Sequence, residues 1–409
     1  MAREERALSS GGGNSRRVIV AGGGIGGLST ALGLSRKGVP VLVLEQAAQM
    51  GEIGAGIQLG PNAFHSFDYL GVAEAARARA VFIDKLVLMD AVTAEEIVHL
   101  PLDEPFRQRF GNPYAVVHRG DLHKALLEGC TASDLVELRT SARVTGYAQD
   151  GTIVRAQLAD GGTEEGAALI GADGLRSAIR AQLVGDGEPQ VSGHTTYRSV
   201  IPTEKMPEAL RWNAATLWAG PKCHIVHYPL SGWKLFNLVV TYHNDAPEAV
   251  AGKPVSREEV AAGFDHVAAL PRSIIEHGSD WKLWVLCDRP PTDRWVDGRV
   301  ALLGDAAHPM LQYMAQGACM AMEDAVCLAE AVDRHGGDIA AALPAYRDAR
   351  AVRTARVQLG SRAIGEHVYH PAGQHALVRN EVLRGWSTDQ FYDRVAWLYG
   401  GSGLSNLAA

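Results

Sequence analysis

Residues 18–27 read VIVAGGGIGG, and the prediction of the fold begins with this segment. Its first residues are apolar and β-branched, as in a buried strand, and its glycines open a segment with helical spacing. The spacing is GxGxxG, and Glu45 ends the next strand about 20 residues on, which together form the dinucleotide-binding fingerprint. Gly22 allows the tight turn, Gly24 lets a pyrophosphate approach the backbone, and Gly27 lets helix and strand pack closely. We expect Glu45 to accept hydrogen bonds from a ribose. A glycine turn without a ligand is the alternative.

A second stretch, residues 299–325, reads RVALLGDAAHPMLQYMAQGACMAMEDA. Asp305 follows a strand at a sharp turn, where its carboxylate can bond a polyol such as a ribityl chain. Gly317 and Ala318 then begin a helix whose amides can stabilise negative charge on a reduced flavin. The chain has no second GxGxxG, so one dinucleotide site plus this distal turn favours FAD bound in extended form. In the alternative interpretation, Asp305 is only a helix cap.

The composition is that of an ordinary globular protein. The 409 residues carry a formal net charge of -7, with 47% hydrophobic and 21% charged residues, which argues against nucleic acid as a partner. Five cysteines without a CxxC pair predict neither a disulfide framework nor a metal site. No signal peptide and no stretch long enough to span a bilayer are recognised, so a cytoplasmic protein is expected.

The order of strand and helix patterns predicts an α/β fold with intertwined domains. A Rossmann-type FAD-binding domain, a parallel sheet with helices, is expected to alternate along the chain with a β-sheet substrate domain. Residues 61–70 are expected to form a helix that begins with proline. The predicted segments are a flexible tail at 1–15, the FAD-binding domain at 16–80, 112–185 and 285–345, the substrate domain at 81–111 and 186–284, and C-terminal helices at 346–409.

Two further segments predict a function only when they are considered together with the motifs above. Asp173 lies in GADGLRSAIR (171–180), and Arg119 lies in HRGDL (118–122) before a helix. Alone, the first is a turn signal and the second a surface cation. Together with the glycine fingerprint and GDAAHP (304–309), they occur in one order along most of the chain. This combination resembles the group A flavoprotein aromatic hydroxylases, single-component monooxygenases similar to para-hydroxybenzoate hydroxylase.

The resemblance implies a reaction. NADH or NADPH reduces FAD, O2 adds at flavin C4a, and the resulting hydroperoxide hydroxylates an electron-rich carbon of a bound phenol. It also implies that Asp173 and Arg119 contribute to the cofactor site, and it suggests a homodimer. Within the family, the likeness is strongest to the hydroxylases that convert 3-hydroxybenzoate to gentisate. It rests on GEIGAGIQLGPNA (51–63), YRSVIP (197–202), GPKCHIVHYPL (220–230) and HPMLQYMAQGA (308–318).

Three alternatives stay open. Two are enzymes on the same scaffold: a salicylate-type hydroxylase and a tailoring monooxygenase that acts on a larger phenol. The third is a redox-silent FAD-binding protein.

The substrate residues are expected on the strand CHIVHYPL, residues 223–230. The side-chain period of two in a strand places His224 and Tyr228 on one face. From spacing alone, the alternative is that His224 is an ordinary histidine of the core. The resemblance implies that His224 and Gln312 hold the phenolic oxygen and promote its ionisation, while Tyr228 orients the ring. A histidine with a pKa near neutral suits such a base.

Other polar candidates are Asp84 and the hydroxyl of Tyr313. No arginine is evident beside the His/Tyr strand to clamp a carboxylate. We therefore expect either backbone and neutral groups to bind a substrate carboxylate, or a substrate that is not a benzoate.

Overall fold

The computed structural model describes residues 17–51 and 54–401. The predicted tail, residues 1–15, lies outside the described residues. The described residues form twenty β-strands: β1 Val18–Ala21, β2 Val41–Leu44, β3 Gly56–Leu59, β4 Val81–Phe82, β5 Lys85–Asp90, β6 Glu96–Pro101, β7 Ala115–His118, β8 Val136–Arg139, β9 Val144–Gln149, β10 Val154–Leu158, β11 Thr163–Gly166, β12 Ala168–Gly171, β13 Gln190–Pro202, β14 Ala214–Gly220, β15 Cys223–Leu230, β16 Leu235–His243, β17 Ala251–Pro254, β18 Lys282–Asp288, β19 Val296–Asp297 and β20 Val300–Leu302.

Twelve α-helices connect and cover these strands within the described ranges. They are α1 Ile25–Arg36, α2 Pro61–Leu70, α3 Ala73–Arg79, α4 Glu104–Phe110, α5 Arg119–Thr131, α6 Ala178–Leu183, α7 Arg257–Ala261, α8 Ala269–His277, α9 Gly317–Arg334, α10 Ile339–Ile364, α11 Gln374–Arg384 and α12 Thr388–Tyr399. Across residues 17–51 and 54–401, none of the helices has the length and apolar character needed to cross a membrane.

A six-stranded sheet carries the nucleotide-binding motif. Its order is β19-β20-β12-β1-β2-β8, and every pair is parallel except β19 with β20. Strands β1, β2 and β12 are buried along their whole length, because α1 packs against this sheet and so does the separate three-stranded sheet of β9, β10 and β11. The α/β fold class with a Rossmann-type parallel sheet is confirmed.

An eight-stranded sheet forms the second layer, in the order β17-β18-β13-β16-β15-β14-β5-β6. It is antiparallel except for β14 with β5. Its strands come from residues 85–101 and 190–288, whereas those of the six-stranded sheet come from 18–44, 136–171 and 296–302. The chain therefore passes repeatedly between the two sheets, while the exact domain boundaries stay a prediction.

A buried ion network joins α9 to α10. The Arg350 guanidinium donates to Glu323 Oε2 at 2.6 Å and to Asp324 Oδ1 at 2.7 Å, and all three side chains are fully buried. Asp324 Oδ2 also lies 2.5 Å from His308 Nε2 and accepts from the backbone N–H of Gly304 at 3.1 Å. This network fixes the GDAAHP turn against the two helices.

Candidate active site

One cavity of about 1270 Å³ extends from the glycine turn after β1 to the inner face of the eight-stranded sheet. Single small-ligand pockets are typically about 300–1,000 Å³, so this cavity has room for a dinucleotide and a small substrate. Of the residues predicted to form the cofactor and substrate sites, all but Gly27 and the further candidate Asp84 line it. The predicted residues that line it are His224, Tyr228, Gln312, Gly22, Gly24, Glu45, Arg119, Asp173, Asp305, Gly317 and Ala318.

The glycine turn has backbone positions that other residues cannot occupy without strain. Gly22 has φ +107°, and a Cβ added there would lie 2.4 Å from the carbonyl oxygen of Ala172. A Cβ on Gly27 would lie 1.9 Å from the carbonyl oxygen of Gly22, which explains why Gly27 packs behind the cavity rather than lining it. Gly24 is the N-cap of α1, and no described side chain caps this helix. Its first amides can therefore bind an anionic pyrophosphate.

Glu45 lies beside this turn. Its Oε2 accepts from the backbone N–H of Gly23 and its Oε1 from that of Ala47, each at 2.7 Å. A carboxylate has further lone pairs after these two bonds. The side chain is thus held at the cavity wall with acceptor capacity left for ribose hydroxyls, and the predicted ribose contact stays a prediction.

Asp173 acts within its own loop. Its carboxylate accepts from Ser177 Oγ at 2.5 Å and from the backbone N–H of Ala178 at 2.8 Å, so it holds the first turn of α6. Burial raises its pKa, although these hydrogen bonds act in the opposite direction. The loop it holds lines the cavity through Gly174 and Arg176. A direct contact between Asp173 and the cofactor stays a prediction, and so does one from Arg119.

The GDAAHP turn faces the N-terminus of α9. Asp305 is exposed and lies in a short 3-10 helix, and a Cβ added to Gly317 would lie 3.8 Å from Asp305 Oδ1. The N-cap of α9 is Gln316, and no side chain among the described residues caps the helix. The interpretation of Asp305 as only a helix cap is therefore wrong. Its carboxylate and the amides of Gly317 and Ala318 flank one region of the cavity, as a flavin site requires.

The substrate strand alternates as its sequence predicts. His224, Val226 and Tyr228 on β15 line the cavity, whereas Cys223 and Ile225 pack into the core behind the sheet. The register of β15 with β14 and β16 places Leu217 and Val239 beside Val226 on the cavity side. The inner face of the sheet is therefore an apolar wall with a histidine and a tyrosine set into it.

His224 is 1% exposed, and its Nδ1 lies 2.8 Å from Nε2 of His370. Burial, with the nearby His370 and His194, lowers the pKa of His224 well below its usual range. The expectation of a pKa near neutral is wrong, because the side chain has lost the water that stabilises an imidazolium. Burial also raises the pKa of Tyr228, so both groups are neutral at pH 7.

Gln312 is held by three hydrogen bonds. Its Oε1 accepts from Arg198 Nη2 at 2.8 Å, and its Nε2 donates to the hydroxyls of Thr196 at 3.0 Å and Thr241 at 3.1 Å. Both amide hydrogens are used, so Gln312 offers the cavity only an oxygen lone pair. In this arrangement Gln312 can accept a hydrogen bond from a phenol but cannot donate one to a phenolate. Of its predicted role, holding the phenolic oxygen and promoting its ionisation, only the contact with the neutral phenol fits this arrangement.

Sequence reasoning missed Arg198, which lines the cavity from β13. Arg198 pairs with Val239 on β16, which pairs with Val226 on β15, so it lies two strands from the His/Tyr strand on the same face. Its guanidinium makes no ion pair in the part of the chain that the structure describes, and its Nε is buried without a hydrogen-bond partner. No arginine lies on the strands next to the His/Tyr strand at this point, but the fold brings Arg198 into the same cavity from two strands away. The signal was YRSVIP, but strand order was needed to interpret it.

Of the two further polar candidates, one lines the cavity and the other does not. Asp84 is exposed and does not line the cavity. Tyr313 lines it, and its hydroxyl contacts His194 Nδ1. Tyr369, which sequence reasoning also missed, lines the same end of the cavity and donates to the carbonyl oxygen of Tyr313 at 3.0 Å.

Comparisons with known proteins agree with this geometry. The model of the FAD binding domain family matches residues 15–357. The chain is 55% identical to 3-hydroxybenzoate 6-hydroxylase 1 of Aquipseudomonas alcaligenes, over 92% of this chain and 95% of that protein. It is 51% identical to 3-hydroxybenzoate 6-hydroxylase of Polaromonas naphthalenivorans strain CJ2, over 92% and 94%.

A solved structure is similar over the same extent. HpxO of Klebsiella pneumoniae, complexed with FAD and uric acid, superposes with a TM-score of 0.82 at 28% identity, over 94% of this chain and 97% of that chain. These likenesses support FAD as the cofactor, and the glycine turn, the uncapped helix α9 and Asp305 stay its predicted site. The chain belongs to the FAD binding domain family, and within it to the group A flavoprotein aromatic hydroxylases, FAD-dependent aromatic monooxygenases.

Proposed function

We propose that this chain uses FAD, O2 and NADH or NADPH to hydroxylate 3-hydroxybenzoate para to its hydroxyl group, which gives gentisate. The relatives named 3-hydroxybenzoate 6-hydroxylase support this substrate. The observation that carries the proposal is the pairing of two polar groups in one apolar cavity: the unpaired guanidinium of Arg198 and the neutral imidazole of His224.

Arg198 supplies the positive charge that a benzoate needs. A buried cation without an anionic partner is costly, so a cavity that contains one favours an anionic ligand. Guanidinium groups bind carboxylates through two parallel hydrogen bonds. Arg198 donates to Gln312 through Nη2, and its buried Nε has no partner in the described structure. The carboxylate of 3-hydroxybenzoate fits this remaining capacity.

His224 lies at the other end of such a substrate. Two strand spacings separate β13 from β15, about 10 Å between their backbones, which leaves room for one aromatic ring between the two side-chain heads. His224 can accept the hydrogen of the phenol at Nε2, because its Nδ1 faces His370. Ionisation of the phenol raises the electron density at the ortho and para carbons, and para attack gives gentisate.

The cofactor end has a separate task. Bound FAD takes electrons from the nicotinamide and activates O2 to an electrophilic oxygen donor. The amides of Gly24 to Gly26 would bind its pyrophosphate and Glu45 its ribose, while Asp305 and the N-terminus of α9 would hold the ribityl chain and the ring. The apolar wall around Val226 excludes water, which limits loss of the activated oxygen as hydrogen peroxide. A cytoplasmic location and a homodimer remain predictions from the sequence.

Steady-state turnover tests the proposal. FAD-loaded protein is assayed for NADH and NADPH oxidation, peroxide and product with 3-hydroxybenzoate, salicylate and 3-hydroxybenzamide. We expect rapid oxidation with gentisate and little peroxide for 3-hydroxybenzoate only. The amide is the matched control, because it keeps the phenol and lacks the charge. Efficient hydroxylation of salicylate instead would refute the proposed substrate, and no oxidation of NADH or NADPH with any of the three phenols would favour a redox-silent protein.

A further inference from the structure

His224 is the innermost of four contiguous histidine rings. His370 follows α10 and its short π-helical extension, while His194 and His243 lie on the neighbouring strands β13 and β16. The rings come from three separate parts of the chain and meet only in the folded protein.

The four histidine rings follow one another from the cavity to the protein surface. His224 Nδ1 lies 2.8 Å from His370 Nε2, and the centroid of the His370 ring lies 5.1 Å from that of His194. The His194 and His243 ring centroids are 4.2 Å apart, and His243 Nε2 lies 3.2 Å from Asp245 Oδ1. His224 is 1% exposed, whereas the side chain of His243 is 36% exposed. The series therefore begins at the cavity and ends at the surface.

A base as deeply buried as His224 cannot readily keep the proton that it takes from the substrate. Burial lowers its pKa and that of His370, the latter to about 3, so neither ring holds an extra proton at pH 7. A neutral imidazole can nevertheless pass a proton on, because one nitrogen gains a hydrogen while the other loses one. This requires an acceptor at the second nitrogen, and the structure places His370 there.

We propose that His370 is a positioning residue for the hydroxylation, which receives the proton of the phenol through His224 and delivers it to solvent at the edge of the cluster that it forms with His194 and His243. The phenolic O–H bond breaks as an N–H bond forms at His224 Nε2. The Nδ1–H bond of His224 breaks as one forms at His370 Nε2, and the N–H bond at the other nitrogen of His370, a side chain that is only partly buried, breaks as water takes up that proton. No electrons are gained or lost. The inference rests on the proposed function, because it assigns the route for the proton that the substrate loses.

The surroundings of the pair contain few other titratable groups. Tyr313 and Tyr369 face the His224 ring, with centroids 5.6 Å and 5.1 Å away, and burial raises the pKa of both. Both rings also face His370, and the Tyr313 hydroxyl contacts His194. The carboxylates that act on this cluster are Asp245 at its surface end and Asp288 near Tyr313. The contact between His224 Nδ1 and His370 Nε2 is thus the link on which the route depends.

Proton release on substrate binding tests the proposal. FAD-loaded protein in weak buffer is mixed with 3-hydroxybenzoate in a stopped-flow instrument, and a pH-indicator dye reports the proton while absorbance reports the phenolate. The variant is His370→Ala, and the matched control is His367→Ala, three residues earlier, where the side chain is 70% exposed. Flavin absorbance and thermal unfolding confirm that each variant folds and binds FAD. Imidazole is then added to His370→Ala.

We expect His370→Ala to slow proton release and hydroxylation by about tenfold or more, against about 10²-fold or more for loss of a direct general base. Imidazole should restore part of the rate, which a purely structural role for His370 does not predict. The proton route is overturned if His370→Ala releases the proton at an unchanged rate, or if the release is slow and imidazole does not restore it. In either case, gentisate formation by the unaltered protein still upholds the proposed function. If the unaltered protein forms no gentisate, the proposed function fails and the route fails with it.

Discussion

Arg198 gives the most discriminating single substitution. In Arg198→Met the side chain keeps an unbranched stem but loses the guanidinium group and its charge, so the cavity loses the cation assigned to the substrate carboxylate. Hydrogen bonds to charged groups are worth about 1.5–3 kcal/mol each. A loss of about 2–3 kcal/mol corresponds to a rise of about 30- to 150-fold in the Kd for 3-hydroxybenzoate. The Kd for the neutral analogue 3-hydroxybenzamide should change less than about threefold.

The assay is a titration of FAD-loaded protein followed by the change in flavin absorbance. Arg211→Met is the matched control, because Arg211 donates to backbone carbonyls away from the cavity lining. Thermal unfolding adds a second test, in which the substitution is expected to weaken substrate binding without lowering the stability of the protein. Burial lowers the pKa of Arg198, so its charge costs the ligand-free protein free energy, and Arg198→Met should unfold at the same or a higher temperature.

Two results would refute this reasoning. Equal weakening of the acid and the amide would mean that Arg198 shapes the cavity without binding the carboxylate. A marked fall in the unfolding temperature of Arg198→Met would mean that the guanidinium already has a stabilising role in the ligand-free protein.

The other substitutions address the cofactor, the base and the ion network. Gly22→Ala should lower FAD retention at least about tenfold, because the new Cβ would lie 2.4 Å from the Ala172 carbonyl oxygen; the flavin absorbance after dialysis measures it, and full retention would contradict the account. His224→Ala should slow hydroxylation by about 10²-fold or more and divert reducing equivalents to peroxide while FAD stays bound; unchanged coupling removes His224 from the mechanism. Burial raises the pKa of Asp324, but His308 and Arg350 outweigh it and hold the pKa at about 2. This stabilisation is present above about pH 4 and is lost as the pH falls towards 2. Asp324→Asn should therefore lower the free energy of unfolding by about 3–5 kcal/mol at pH 7, and the difference should shrink in acid; denaturation of both proteins across pH checks this.

Local patterns predicted the cofactor end well. The apolar run at 18–21, the glycine spacing and Glu45 all act through neighbouring backbone, so the βαβ unit follows from short-range chemistry. The helix at 61–70 was also predicted to its ends, because proline begins it and Gly71, with φ +75°, ends it. The period of two placed His224 and Tyr228 on one face for the same reason.

Long-range contacts could not be predicted in this way. Arg198 enters the substrate region because β16 lies between β13 and β15, and strand order is a property of the whole sheet. His370 is 146 residues from its partner His224 and reaches it only after α10 has crossed the molecule. Burial, which sets the pKa of His224, likewise depends on packing from the C-terminal segment, so a pattern of spacing could not reveal it.

Product analysis under labelled oxygen tests the central claim most directly. FAD-loaded protein is incubated with NADH, 3-hydroxybenzoate and ¹⁸O2, and the product is identified by NMR and mass spectrometry. The account predicts gentisate with one ¹⁸O atom, in the new hydroxyl para to the original one. A different dihydroxybenzoate, or gentisate that carries oxygen from water, would contradict it.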